Sequence, residues 1–181
     1  MYSIMIQVLV ENSKYNDPND FQKNYDDLLF SLQISLLECS GCHKSGCLVY
    51  YGKYTRHVRL CGKLITVSIQ RVRCTECGIT HAILVSVIVP YSQILIHEQQ
   101  EIIDDVISGN HADHVMEHNP IIDSGHIRYI VSQFKKHWEQ RLLSLNLRIM
   151  DELAKPCFLN YSRQFMQIHR IPNILFLNLH I

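Results

Sequence analysis

The chain has 181 residues, 47% of them apolar and 19% charged, with 17 Lys and Arg against 17 Asp and Glu. That composition can bury a core, which excludes a disordered or fibrous chain, and formal neutrality excludes a global field that draws in nucleic acid. The longest nearly unbroken apolar stretch, Ala82 to Val89, spans eight residues, whereas a membrane-crossing helix needs about 20, so no membrane partner is expected.

Charge is distributed unevenly along the chain. Residues 1–38 carry a net −4, residues 39–90 a net +6 with Glu76 as their only acid, residues 91–150 a net −3, and residues 151–181 a net +1. These shifts predict four parts: an N-terminal strand-helix packing element (1–38), a zinc-ribbon domain (39–90), a helix-turn-helix domain (91–150) and a C-terminal tail (151–181). The opening run MYSIMIQVLV lacks a leading Lys or Arg and a small-residue cleavage site, so it reads as a strand over 4–10 rather than a secretion signal. A cytoplasmic location is therefore expected. Past the turn-rich Asn16-Asp17-Pro18-Asn19, the spacing of Phe21, Tyr25, Leu28, Leu29 and Leu32 predicts a helix.

Six of the seven cysteines fall between positions 39 and 77, and a reducing compartment turns such a cluster toward metal ligation rather than disulfides. Cys39-Ser-Gly-Cys42 and Cys74-Thr-Glu-Cys77 are two C-x2-C pairs separated by 31 residues. Each pair sets two sulfurs on a tight turn, and intervening strands can bring the turns together around one tetrahedral structural Zn2+. A redox role for either pair is the competing reading, but the βαβ context it requires is missing. His43 and Cys47 beside the first pair read as turn and strand residues, Cys61 and Cys157 as small apolar residues, and His81 as a group that orients a sulfur or carbonyl. Between the pairs, residues 47–54, 56–60 and 64–73 predict three short strands with Gly52 and Gly62 at turns. A fourth strand is expected over 83–89, ended by Pro90.

Beyond position 90 the apolar period changes to three and four residues. One helix is expected over 94–108 with Gly109-Asn110 as its stop, and a second over 111–118. After the turn Asn119-Pro120-Ile121-Ile122, a third helix capped by Asp123 is expected to run past Trp138. Residues 97–118 contain six acids and no Lys or Arg, whereas 123–150 contain five Lys or Arg. The third helix is thus the electropositive one. Arg128, Tyr129, Ser132, Gln133, Lys135 and Lys136 are its candidates to meet duplex DNA, with cations on phosphates and Gln or Ser near base edges. A three-helix bundle that uses the same pattern only for packing is the alternative. His111, His114 and His118 share one helical side but have no acidic or thiol partner at ligand spacing, which leaves them as surface groups.

The ribbon CSGCHKSGCLVYYGKYTRHVRL, followed by QRVRCTECGITHAILVSVIVPYSQ, the helical segment and the tail NYSRQFMQIHRIPNILFL, resembles a bacterial family of uncharacterised transposase-associated proteins. Members look like a zinc ribbon joined to a homeodomain-like helix-turn-helix, similar to the amino-terminal DNA-recognition regions of insertion-sequence transposases. R-V-R-C-x-x-C-G-x-T-H-A and V-P-Y-S are the specific motifs. The resemblance implies zinc ligation by Cys39, Cys42, Cys74 and Cys77, and duplex contact by the helix starting near Asp123. Turns of this type usually read C-P-x-C-G; here Ser40 and His43 stand at the Pro and Gly positions, which removes easy access to a left-handed backbone in the first turn.

The expected fold class is α+β: an N-terminal strand and helix, a four-cysteine zinc ribbon, then a helix-turn-helix. Catalysis is not expected. Asp151 and Glu152 are adjacent, only 31 residues follow position 150, and no Gly-rich phosphate loop, G-x-S-x-G or H-E-x-x-H is present. The expected function is zinc-dependent DNA binding without catalysis. A protein-interaction adaptor that docks onto a transposase or the transcription machinery, and an inactive transposase remnant, are the alternatives.

Overall fold

The computed structural model describes residues 4–118, 120–171 and 174–178. The fold is α+β, with an N-terminal strand and helix, a four-cysteine cluster, and helices after it. The chain forms two compact units: Met1–His57 with Thr66–Ser86 and Arg170–Ile181, and Val58–Ile65 with Val87–His169.

The first unit is built on a mixed five-stranded sheet. Its strands are β1 (Ile4–Val8), β2 (Leu48–Leu60), β3 (Lys63–Cys74), β4 (Thr80–Val85) and β5 (Leu175–Leu177), in the order β2-β3-β4-β1-β5. β1 runs parallel to both β4 and β5, pairing Ile6 with Ile83 and with Leu175, while β3 and β4 are antiparallel. Interior position explains why β4 reads as an almost continuous apolar run: Ala82, Ile83, Leu84 and Val85 are all buried. α1 (Phe21–Ser31) buries Phe21, Tyr25 and Leu29, a stripe at intervals of four. Tyr25 ties this helix to the sheet, because its hydroxyl donates to Ile83 O at 2.8 Å and accepts from Gln70 N–H at 2.9 Å.

Several boundaries differ from the expectation. The strands expected over 47–54 and 56–60 are one strand, and Gly52 lies inside it rather than at a turn. Glycine is tolerated there because β2 lies at the edge of the sheet. The turn is Cys61-Gly62, whose φ values of 49° and 67° match the two-residue hairpin turn that follows strand twist. The strand expected over 83–89 ends at Val85. Val87, Ile88 and Val89 are buried in a turn, so their apolar character reflects burial rather than extension.

The second unit holds α2 (Ile96–Ile107), α3 (Ala112–His118), α4 (Ser124–His137), α5 (Glu139–Ser144) and α6 (Ala154–Tyr161). α2, α3 and α4 pack against one another through Ile102, Ile103, Val115, Ile127, Ile130 and Phe134. The Asp123 carboxylate caps α4 by accepting from His126 N–H at 2.8 Å. The third helix was expected to continue past Trp138; instead it ends at His137, and Trp138, at φ −122°, separates it from α5. Asn119, part of the expected turn, lies outside the described residues. Buried Glu98 accepts from Cys61 N–H at 2.6 Å and so holds the hairpin turn. Among the described residues no helix is long and apolar enough to cross a membrane.

His97, on α2, has both ring nitrogens buried without a hydrogen-bond partner among the described residues, and burial lowers its pKa to about 4. The unfolded chain takes up this proton near the ordinary histidine value and the folded chain only near 4, so stability should fall as pH drops between those values. The full difference is about 3 kcal/mol. Urea titrations at pH 7 and pH 4.5 should show His97→Leu losing that part of the acid sensitivity; an unchanged acid sensitivity would refute the assignment.

Candidate metal centre

Two turns with the same hydrogen-bond pattern carry the four sulfurs. In the first, Cys39 N–H donates to Lys44 O at 2.9 Å and His43 N–H to Cys39 O at 2.7 Å; in the second, Cys74 N–H donates to Ile79 O at 2.9 Å and Gly78 N–H to Cys74 O at 3.0 Å. The matching residues His43 and Gly78 both adopt positive φ, 60° and 73°. The first turn therefore keeps its left-handed geometry without glycine, in a residue type that enters this region more readily than most. Thr75 N–H donates to Cys47 O at 2.8 Å and links the second turn to the strand that follows the first.

Those turns bring the sulfurs of Cys39, Cys42, Cys74 and Cys77 within 4.8 Å of one another. Cys39 Sγ lies 3.7 Å from Cys77 Sγ, and Cys42 Sγ 3.7 Å from Cys74 Sγ. Four sulfurs placed tetrahedrally at zinc–thiolate bond length stand about 3.8 Å apart, so the donor set fits one tetrahedral ion. Cys39 and Cys74 are buried, Cys42 is half-buried and Cys77 is exposed. Backbone N–H groups of Gly41 and Cys77 point at Cys39 Sγ and Cys74 Sγ, each at 3.4 Å, and favour charge on sulfur.

Burial alone would raise the Cys74 thiol, but the Cys77 N–H and the Cys47 thiol outweigh it and pull the pKa down to about 6. Burial pushes Cys39 up. At Cys77 the Ile79 N–H acts downward, yet desolvation and neighbouring sulfurs leave the thiol at about 12. Cys74 is therefore ready as a thiolate, while Cys39 and Cys77 hold protons that a divalent cation would displace.

His81, on β4 and fully buried, places Nε2 3.4 Å from Cys39 Sγ. A group donating there orients the sulfur and spreads its charge. Cys47, whose sequence context suggested an ordinary strand residue, is buried with its sulfur 3.3 Å from Cys74 Sγ, and burial followed by that contact raises its pKa to about 11. Its short offset from the first pair was the available signal. His43 points away, with Nδ1 2.7 Å from Glu38 Oε1 on the surface. Cys157 is buried in α6 and Cys61 is exposed at the hairpin turn. His118 Nδ1 contacts His114 O at 2.9 Å. Among the described residues, the four cysteines are the one group of three or more metal-ligating side chains drawn together.

On α4, Arg128, Tyr129, Ser132, Lys135 and Lys136 are exposed and Gln133 is half-buried. Arg128 Nε donates to Ser124 O at 3.2 Å. Lys135 and Lys136 have no carboxylate partner among the described residues. With Arg128 and Ser132 they edge a cavity of about 690 Å³ floored by Val106, Ile127 and Val131. On the sheet, the Arg71 and Arg73 guanidinium groups lie 5.7 Å and 5.3 Å from the Tyr51 ring centre.

Residues 39–128, just under half of the chain, are similar to a family described as a domain of unknown function, DUF6431. The matched segment includes both cysteine pairs and stops within α4. No curated protein and no solved structure matches the chain.

Proposed function

We propose that the protein is a non-catalytic, zinc-dependent DNA-binding protein related to the DNA-recognition regions of insertion-sequence transposases. Cys39, Cys42, Cys74 and Cys77 hold a structural Zn2+, because four thiolates complete its coordination and leave no position for substrate. The metal fixes the two turns at the end of the basic hairpin. α4 supplies the duplex contacts, with Arg128, Lys135 and Lys136 on phosphates and Tyr129, Ser132 and Gln133 nearer the bases. The observation that carries this reading is the division of α4, which buries Ile127, Ile130 and Phe134 while Arg128, Tyr129, Lys135 and Lys136 stay in solvent.

Anisotropy titration on duplex DNA tests it. With three side chains on phosphates, affinity should fall roughly 40-fold between about 50 mM and about 200 mM salt. Replacing Arg128, Lys135 and Lys136 together by Ala should remove most of that dependence. Absence of binding at low salt, or binding indifferent to salt, counts against the proposal. A second reading, a protein-interaction adaptor, is favoured by exposed Glu101, Asp113 and Glu117 on α2 and α3. Under it the same triple substitution leaves partner capture intact and no duplex affinity is found.

A further inference from the structure

The V-P-Y-S run takes no part in the metal centre or in the duplex face of α4, yet it adopts an unusual conformation. Val89 and Pro90 are buried, whereas Tyr91 is 65% exposed at φ 64°. A left-handed conformation costs an L-residue about 1–2 kcal/mol, and an exposed ring recovers little of that through packing. Met166, buried at φ 60°, is a second non-glycine residue in this region. Both line one cavity of about 240 Å³, within the second unit. Strained residues that converge on a cavity mark a candidate ligand site.

The lining has a consistent character. Arg59, Tyr91, Gln99, His126, Tyr129 and His169 face the cavity and no Asp or Glu does. Arg59 donates through Nη1 to Ile121 O, which leaves most of its five donors unused, and it has no carboxylate partner among the described residues. The Asp123 carboxylate is engaged by His126 Nδ1 at 2.9 Å. Tyr91 and His169 meet edge to face, with ring centres 6.0 Å apart. A cavity lined by a guanidinium with donors to spare, several aromatic surfaces and no carboxylate suits a ligand that is both flat and anionic. Its volume lies below the range of about 300–1,000 Å³ typical of whole drug-sized ligands, so it matches one ring with its phosphate partly outside.

We infer that this cavity binds a single nucleotide, its base against the Tyr91 and Tyr129 rings and its phosphate on Arg59. The nucleotide is either free or the unstacked 5′ end of a strand. The inference rests on the nucleic-acid reading above for the kind of ligand, and it accounts for the strain at Tyr91 as the cost of presenting that ring.

The test titrates the four deoxymononucleotides, inorganic phosphate and a 5′-phosphorylated single-stranded hexamer against the zinc-loaded full chain, by calorimetry or chemical-shift change. Mononucleotides should bind saturably and at least tenfold more tightly than inorganic phosphate. A hexamer that binds at least tenfold more tightly still identifies the strand end as the source; equal binding identifies the free nucleotide. Tyr91→Gly removes the ring and relieves the left-handed backbone, so nucleotide affinity should fall at least tenfold while Tm does not fall. Arg59→Ala should weaken mononucleotides, and Lys135→Ala with Lys136→Ala should leave them unchanged. No saturable binding, binding matched by inorganic phosphate, or binding untouched by Tyr91→Gly overturns the inference. Mononucleotide binding in a protein that ignores duplex DNA would sink the duplex reading alone; duplex binding without mononucleotide binding would sink this one alone.

Discussion

Under the proposed zinc site, Cys74→Ser should strip the metal from the protein and lower its melting temperature markedly. Cys74 ends β3, is fully buried, and sits 3.7 Å from Cys42 Sγ and 3.3 Å from Cys47 Sγ. A serine hydroxyl is a poorer ligand and does not ionise near neutral pH, so the cluster would lose the sulfur most inclined to carry charge. Structural zinc sites contribute about 10–16 kcal/mol of apparent binding energy in small zinc-finger peptides. In this unit, with its own sheet and helix, a loss of several kcal/mol is expected. Elemental analysis should show about one equivalent of zinc in the reduced wild type and far less in the variant. A strong chelator should bring the wild type to the variant's melting temperature. Cys47→Ser is the contrasting substitution and should retain the metal, because Cys47 touches one ligand without completing the set. Unchanged melting in Cys74→Ser would refute a metal-supported fold.

Trp138→Ala should destabilise the helical unit by about 3–5 kcal/mol, the range for removal of a large buried aromatic. Trp138 is fully buried, with Phe165 and Tyr161 edge to face at 5.5 Å and 6.1 Å and the Arg141 guanidinium 5.0 Å from its ring centre. Its indole N–H has no hydrogen-bond partner among the described residues, so Trp138→Phe removes a desolvated donor as well as volume and should cost clearly less than the alanine change. Trp138 is also the only tryptophan in the chain. Its fluorescence in the wild type therefore reports this cluster, while circular dichroism in urea serves for both variants. Equal costs for Phe and Ala would show that ring packing is not what holds the site.

What the sequence revealed depended on whether the signal was local. The cysteine pairs were legible because a metal ligand set needs two sulfurs on one tight turn, and the spacing states that directly. α2, α3 and α4 were legible from apolar period, and the start of α4 from the capping carboxylate of Asp123. The break at Trp138 was not, since Phe134, Trp138 and Leu142 keep the same period on both sides of it. β5 lies in a segment expected to be a tail, and it and its pairing with β1 were hidden for a different reason: three residues are too few to show alternation, and alternation does not say which distant strand a strand joins. The buried run Val87–Val89 looked like strand because burial in a turn and burial in a sheet select the same residues. At the candidate site, the contact of Cys47 with Cys74 and the cavity behind Tyr91 were not legible, because each is assembled from segments far apart in the chain.

Placement of β1 between β4 and β5 affects how the protein is made. During synthesis, residues 4–8 are made long before their second neighbour, residues 175–177. Until then one side of β1 is an unpaired parallel edge of Ile, Met and Val residues, the kind of surface that recruits foreign strands. Deleting residues 175–177 would make that temporary exposure permanent, and the shortened chain should aggregate on expression even with its metal centre and helices intact.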